Sequence, residues 1–557
     1  MNQTPQPTLK FWKITTALSK LLLGLALAAW VVFALAWMAL HWVIVPRIGE
    51  LRPRLEIEAS QVLGVPVRIG EISAKSVGII PSFELKNVAL LDATGREALK
   101  LPRILASVSP ASLLQLSAEQ ILIESPELDI RRDVQGKLTI AGLDFSKDDK
   151  STGGADWFFS QPEFVVRNGV VHWVDEMPNG ALGVPAPLTL SQVDFVSRNP
   201  LNKHELRLDA TPPAIWGDRF SLRGLFTQSL LSTDKGKFKD WTGQLYTDFS
   251  KIDVSEISRY VKLNGQSGRG VGKLKTWTIF DNGEWASTTA DVSLSQVDAT
   301  LGKGLEPLAL QSMSGRLIGR KLKLGFEAST QNLQFQTRDG LVWPGGNMLY
   351  SQTNPKQAPN NASNALDGVD PTQTLNDFKA DKLDLAVISL IANKFPMSAD
   401  ARELLTSLAP KGVVQTITAH WRGNLGAPQE LTAKGVVNGV QISAKHSLNK
   451  VGEGIDSHES VGRPGLRGAS IDFDMSLAGG KAKIAIDKGE IELPGMFEEA
   501  VIPVDQLSTD VVWRITPART SVNAKDKGKS IANAESAIDV TVSSLSLKNA
   551  DAQGTAQ

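Results

Sequence analysis

The chain has 557 residues, with 59 basic and 59 acidic side chains, a formal net charge of zero and no cysteine. This length exceeds what one compact core sustains, so the expectation is either several domains or one repeating architecture. Balanced charge argues against a general nucleic-acid binder. The absence of cysteine excludes disulfides, thiolate metal sites and a cysteine nucleophile.

In chain order, residues 1–20 read as a short tail carrying Lys10, Lys13 and Lys20. Leu21 to Val45 follows as LLLGLALAAWVVFALAWMALHWVIV, without a charged residue. A helix of this length reaches about 37 Å and crosses a hydrocarbon core of about 30 Å with some tilt. Trp37 and Trp42 sit near one end of it, where indole rings favour the membrane interface. The run is too long for the apolar region of a cleaved signal peptide, and no A-x-A-like site follows it. Arg47, Arg52 and Arg54 nearly balance the lysines in front, so flanking charge alone scarcely orients the span. The body lacks nucleotide-binding motifs, and this favours placing the N-terminus, residues 1–20, in the cytoplasm.

Residues 46–66 repeat apolar side chains at Ile48, Leu51, Leu55, Ala59 and Val62, the spacing of an amphipathic helix beside the membrane. Gly64 and Pro66 end it. From Val67 the period becomes two. Runs such as VRIGEI, FELKNVALL, ILIESPELDIRR, FVVRNGVVHWV and LKLGFEAS are broken by Gly, Pro, Asn and Asp about every ten residues. This is the grammar of antiparallel strands with one apolar and one polar face. Residues 345–374 and 449–468 are polar and rich in turn formers, and read as disordered loops. Helices are expected at 254–261 and at 385–408, the second broken near Pro396. The segment Lys251 to Ser258 aligns with Lys382 to Ser389, and each is followed by a Gly-led strand ending in tryptophan, at Trp277 and Trp421. The expected fold is mainly β: one transmembrane helix, then an elongated, twisted antiparallel sheet over 67–557 with a few short helices.

No chemistry-bearing motif stands out. Histidines at 41, 172, 204, 420, 446 and 458 form no metal-ligand spacing. Gly528-Lys529-Ser530 resembles the end of a phosphate-binding loop, but Asn523 stands where that loop needs its first glycine. Gly268, Gly270 and Gly272 precede a strand rather than a helix. The tryptophans along the body read as sheet-packing residues before they read as ligand-stacking ones. No catalytic residue, cofactor or metal is expected, and an enzyme is not expected.

A long sheet whose apolar face is left uncovered presents a hydrophobic groove, and such patches mark ligand or membrane sites. Acyl chains suit it, because each buried CH₂ contributes about 0.8 kcal/mol. Candidate groove positions are Ile121, Ile123, Leu128, Ile130, Phe164 and Val166, which recur on alternating strand positions.

The segments LGVPVRIGEISAKSVGIIPSFELKNVALLD, LPRILASVSPASLL and ILIESPELDIRRDVQGKLTIAGL resemble the AsmA-like superfamily of envelope proteins. WFFSQPEFVVRNGVVHWVDE, GKLKTW, LQFQTRDGLVWP, LLTSLAPKGVVQTITAHWRG and LPGMFEEAVIPVDQLSTDVVWRI look like its YhdP branch. The resemblance implies a repeating β-groove related to bridge-like lipid transfer proteins, an anchor in the bacterial inner membrane and a periplasmic body. It implies movement of phospholipid between inner and outer membranes in support of outer-membrane integrity. Phospholipids, the inner membrane and envelope proteins at either end are the implied partners, with no nucleic acid. It carries no catalytic residues. Similar proteins are longer, so the chain is expected to be an N-terminal portion. The rival readings are an envelope scaffold or assembly factor that binds proteins rather than lipid, and an enzyme acting on envelope glycans.

Overall fold

The structure is a computed structural model. It describes residues 9–556 except 64, 76–80, 92–94, 96, 110–117, 137, 141–142, 145–156, 178–183, 231, 233, 259–265, 303, 355–372, 396, 398, 449–458, 498, 517–536 and 551–552. The chain forms two compact units, Met1–Ser250 with Ile279–Glu284, and Lys251–Thr278 with Trp285–Gln557.

In the first unit, helix α1 (Leu9–Ala39) is followed by one π turn (Leu40–Ile44) and one 3₁₀ turn (Val45–Arg47). Residues Thr16–Arg47 are long and apolar enough to cross a membrane. Most of their side chains find no cover in the protein: Leu23 is 73% and Trp30 68% exposed. Pro46 lacks the N–H that would continue the ladder, which accounts for the change of winding there. The last turns do pack. Leu40 is fully buried with Ile48 and Phe83, against Ile72, Ala74 and Leu85. The juxtamembrane helix α2 (Arg52–Leu63) is shorter than the 46–66 expected. Gly49 lies in the turn that precedes it, and Leu55, expected on its packed side, is exposed.

Strands then follow: β1 (Val67–Arg68), β2 (Glu71–Lys75), β3 (Ser82–Leu91), β4 (Glu97–Ser107), β5 (Gln120–Glu124), β6 (Glu127–Arg132), β7 (Leu138–Ile140), β8 (Leu143–Asp144), β9 (Glu163–Asp175), β10 (Leu188–Arg198), β11 (Lys203–Thr211), β12 (Phe220–Thr227) and β13 (Thr242–Asp253). The sheet is mixed. Most neighbours pair antiparallel, whereas β5 and β6 both pair parallel with β9. Near one end of these strands His204 is fully buried, stacked on Trp241 with ring centroids 4.0 Å apart. Its Nδ1 lies 2.8 Å from Asn199 Oδ1 and its Nε2 3.3 Å from Gln228 Oε1. Burial pushes the imidazole below its ordinary pKa, which keeps it an uncharged core residue.

The second unit holds most of β14 (Gln266–Asp281) and β15 (Glu284–Thr300), then β16 (Leu308–Leu322), β17 (Gly325–Thr337), β18 (Val342–Trp343), β19 (Met348–Thr353), β20 (Leu375–Asp384), β21 (Lys411–Arg422), β22 (Glu430–Ile442), β23 (Lys445–Leu448), β24 (Glu459–Arg463), β25 (Gly465–Ser476), β26 (Gly479–Glu492), β27 (Val501–Thr516), β28 (Ala537–Lys548) and β29 (Gln553–Ala556). Strands β23 and β24 form a separate ribbon. Both expected loops are narrower than read. Residues 348–353 are β19, paired with β17 and β20, and residues 459–463 and 465–468 belong to β24 and β25. Met348 and Tyr350 supply the alternation that the surrounding Asn and Pro obscured. Residues 355–372 and 449–458 of those two segments lie outside the described residues.

Helices α3 (Val254–Ser258), α4 (Leu385–Ile391) and α5 (Ala399–Leu408) fall where the pattern placed them. The repeat is physical. Asp253 ends β13 and accepts from the backbone N–H of Ser255 at 2.9 Å. Asp384 ends β20 and accepts from the N–H groups of Ala386 and Val387 at 2.9 and 3.2 Å. In each copy an aspartate caps the helix that follows a strand. Gly272 in β14 marks a close approach: a Cβ there would lie 2.1 Å from the Ser293 carbonyl oxygen.

Many strands contain one residue with positive φ, and the apolar series shifts by one place across it. Leu85/Val88, Leu190/Val193, Leu294/Val297, Ala380/Leu383 and Val437/Val440 straddle Asn87, Gln192, Gln296, Lys382 and Gly439, all left-handed. Register shifts accompany those at 190/193 and 437/440. Left-handed backbone costs an L-residue about 1–2 kcal/mol. Burying a Val or Leu side chain contributes about 1.5–3 kcal/mol, so keeping both sides of the shift on the apolar face wins.

In the second unit that face divides in two. Leu308, Leu310, Phe335, Trp343, Leu383, Val414, Val437 and Ile486 form a packed cluster with Val387 and Ile391 of α4. Leu310→Ala is therefore expected to lower stability by about 2–5 kcal/mol in denaturant unfolding. Lys382 is exposed at φ +53°. Lys382→Gly should leave stability level or raise it by up to ~1 kcal/mol, and Lys382→Val should lower it by ~1–2 kcal/mol. Equal unfolding midpoints for the two variants would mean that the backbone there is not strained.

Candidate functional site

The register of the second unit assembles rows of side chains across many strands. Thr288 pairs with Gly319, Gly319 with Ala328, Ala328 with Tyr350, Tyr350 with Phe378 and Phe378 with Ala419. The row continues through Ala433, Met475, Gly480, Trp513 and Val540. Two residues along each strand, the next row runs Ala290, Leu317, Thr330, Met348, Ala380 and Ile417. Gly435, Phe473, Ala482 and Val511 extend it. These residues are mostly apolar and mostly half-buried.

Between β15 and β20 the two rows line an open concavity of about 440 Å³. Leu317, Ala328, Met348, Tyr350 and Phe378 form its walls and floor. This volume lies within the ~300–1,000 Å³ of ligand sites. Burial pushes the Tyr350 hydroxyl above its ordinary pKa, and it donates to Asn376 Oδ1 at 2.9 Å. Its polar end is thus satisfied by the protein and the ring is presented to the cavity. Met348 and Phe378 also pack against the cluster under α4, so one end of the concavity is stopped by core.

The other face of the same strands is charged. Arg316 donates to both oxygens of Asp291, at 2.6 and 2.9 Å, and this holds the carboxyl below its ordinary pKa. Lys434 pairs with Asp474 at 3.1 Å, and His420 Nδ1 pairs with Asp377. Such exposed pairs contribute little to stability.

In the first unit the rows are equally ordered. Phe83, Ala106, Ile121, Phe164, Ser197 and Leu206 pair in succession. So do Leu85, Ile104, Ile123, Val166, Phe195 and Leu208. Four candidates, Ile121, Ile123, Phe164 and Val166, are thus direct cross-strand neighbours. Ile121 and Ile123 are each only 7% exposed, in a cluster with Leu63 of α2, Val67 and Trp157. Leu128 pairs with Val171 and Ile130 with Trp173, all half-buried.

The open concavity escaped the sequence reading because β19 lay hidden in an apparent loop. The alternation of Met348 and Tyr350 was the available signal. Trp241 and Trp343 are core, as tryptophan patterning suggested, whereas Trp285 stays 40% exposed. Gly268, Gly270 and Gly272 lie inside β14. Gly528-Lys529-Ser530 lies outside the described residues. Among the described residues no group of three or more His, Asp or Glu is placed to hold a metal ion.

The molecule is thus a mainly β protein with one apolar N-terminal helix and a sheet of one charged and one apolar face. A family model described as "YhdP protein" matches residues 1–538, and the chain belongs to that family. Family and apolar helix together mark a membrane-associated envelope protein. No curated protein matches the sequence.

Arg316→Gln removes the two-toothed pair on the charged face. It should leave the denaturant-unfolding midpoint nearly unchanged, because both partners are solvent-screened.

Proposed function

We propose that this protein is anchored in the bacterial inner membrane with its body in the periplasm, and that it conducts phospholipid between the inner and outer membranes along its apolar sheet face. The open apolar concavity between β15 and β20 carries this reading. It exposes almost only carbon on a protein whose other sheet face is charged. Its occupant must be apolar and readily available, and acyl chains of the anchoring membrane meet both needs. A chain resting there exchanges water for Leu317, Met348 and Phe378 at about 0.8 kcal/mol per CH₂.

In the first unit the rows through Ile121, Ile123, Phe164 and Val166, and the half-buried Leu128 and Ile130, form an apolar face of their own. Ile121 and Ile123 are buried in a cluster against which Leu63 of α2 and Trp157 pack. There the residues hold the sheet together, and lipid contact in that unit falls to the half-buried positions.

The test is lipid extraction and mass spectrometry on the full chain purified in mild detergent. Wild type should retain phospholipid. Ala328 is exposed at the concavity, so Ala328→Glu should fold normally by circular dichroism. A carboxylate in apolar surroundings costs several kcal/mol, so retained lipid should fall at least about tenfold at this site. Lys379→Gln, on the charged face, should not change it. A stable wild-type chain without lipid overturns the proposal.

A further inference from the structure

The concavity is closed at one end by core and open at the other, and the open end has its own composition. Trp285 lies there. A Cβ on Gly319 would meet the indole ring carbons at 3.5 and 3.8 Å, so the ring lies over the apolar face beside Gly319. Its Nε1 donates to Thr288 Oγ1 at 2.8 Å, and that hydroxyl lies 3.0 Å from Thr278 Oγ1. The ring is therefore positioned by the cavity wall yet remains 40% exposed.

Along β16 the apolar face reads Leu317, Gly319 and Lys321. It passes from hydrocarbon to a cation within roughly 13 Å at about 3.3 Å per residue. The Lys321 row pairs with Phe326 and then Gln352, so aromatic and polar groups alternate at this border. The same mixture marks the water interface of a bilayer, where an indole bridges apolar and wet surroundings.

We propose that Trp285 and Lys321 form the head-group end of a phospholipid site, with the acyl chain running inward past Leu317 and Met348. This rests on the phospholipid reading above and adds orientation and the residues that set it. The core end has no room for a hydrated phosphodiester. The Trp285 end offers water, an indole edge and the half-buried Lys321, whose side chain also interacts within the protein. Lys321 contributes charge attraction to the phosphate, and Trp285 contributes the apolar contact that fixes how deep the first methylenes lie.

The experiment uses the full chain in mixed micelles with phosphatidylcholine brominated either near the head group or near the methyl end. Quenching attributable to Trp285 is the difference between wild type and Trp285→Phe, which cancels the other tryptophans. Head-group-proximal bromine should quench that component more strongly. In the same micelles Lys321→Gln should weaken retention of phosphatidylglycerol several-fold and leave diacylglycerol unchanged. If methyl-end bromine quenches Trp285 equally or more, or if neither label quenches it while extraction still recovers bound phospholipid, the proposed orientation is wrong. If no phospholipid is recovered from the wild type, the lipid reading itself fails.

Discussion

Strand register is the constraint on which the rest of this structure depends. Side chains alternate across a strand, so a slip of one residue would turn an entire apolar series to the charged face. Long antiparallel pairings such as β26 with β27 keep Ile484, Ala482 and Gly480 opposite Thr509, Val511 and Trp513. The neighbouring Lys481 and Lys483 lie opposite Val512 and Asp510 on the other face. Glycines make some of these approaches possible, since a Cβ at Gly480 would lie 2.7 Å from the Asp474 carbonyl oxygen.

Perfect alternation would give a plain sheet, and this sheet is not plain. Left-handed residues recur inside strands and move the apolar series over by one. Gln296 and Lys382 do so at a modest backbone cost, and the burial of Val297 and Leu383 outweighs it. The shift also bends and twists each strand locally. In the second unit it separates two regions of one face. On one side Leu310 and Trp343 share a buried cluster with α4, and on the other Leu317 and Tyr350 line an open concavity.

The apolar N-terminal helix is joined to the strands of the first unit by packing as well as by the chain. Leu40 and Ile48 bury against Phe83, and Ile72 and Leu85 serve both this joint and the apolar cluster around Ile121. Glu56 on α2 accepts from the backbone N–H of Ile69 at 2.7 Å, and Ser60 accepts from that of Val67 at 2.8 Å. Strand β1 is thus tied to α2 by polar bonds and to the core by apolar ones. The anchor ends where an ordered apolar face begins.

The amino-acid sequence by itself determined the β character, the apolar helix and the helices capped by Asp253 and Asp384. These follow from local rules: hydrophobic period, run length and a capping side chain close to its helix. It also singled out Ile121, Ile123, Phe164 and Val166, which the sheet brings into adjacent pairs. It did not disclose β19 or the concavity, because Met348 and Tyr350 acquire meaning only through pairing with β17 and β20. Nor did it separate covered from open apolar surface. Ile123 and Leu317 look alike in sequence, and only tertiary packing buries the first in an apolar cluster and leaves the second at a cavity wall. Alternation says which side of a strand a residue takes, whereas cover depends on which distant segment comes to lie over it.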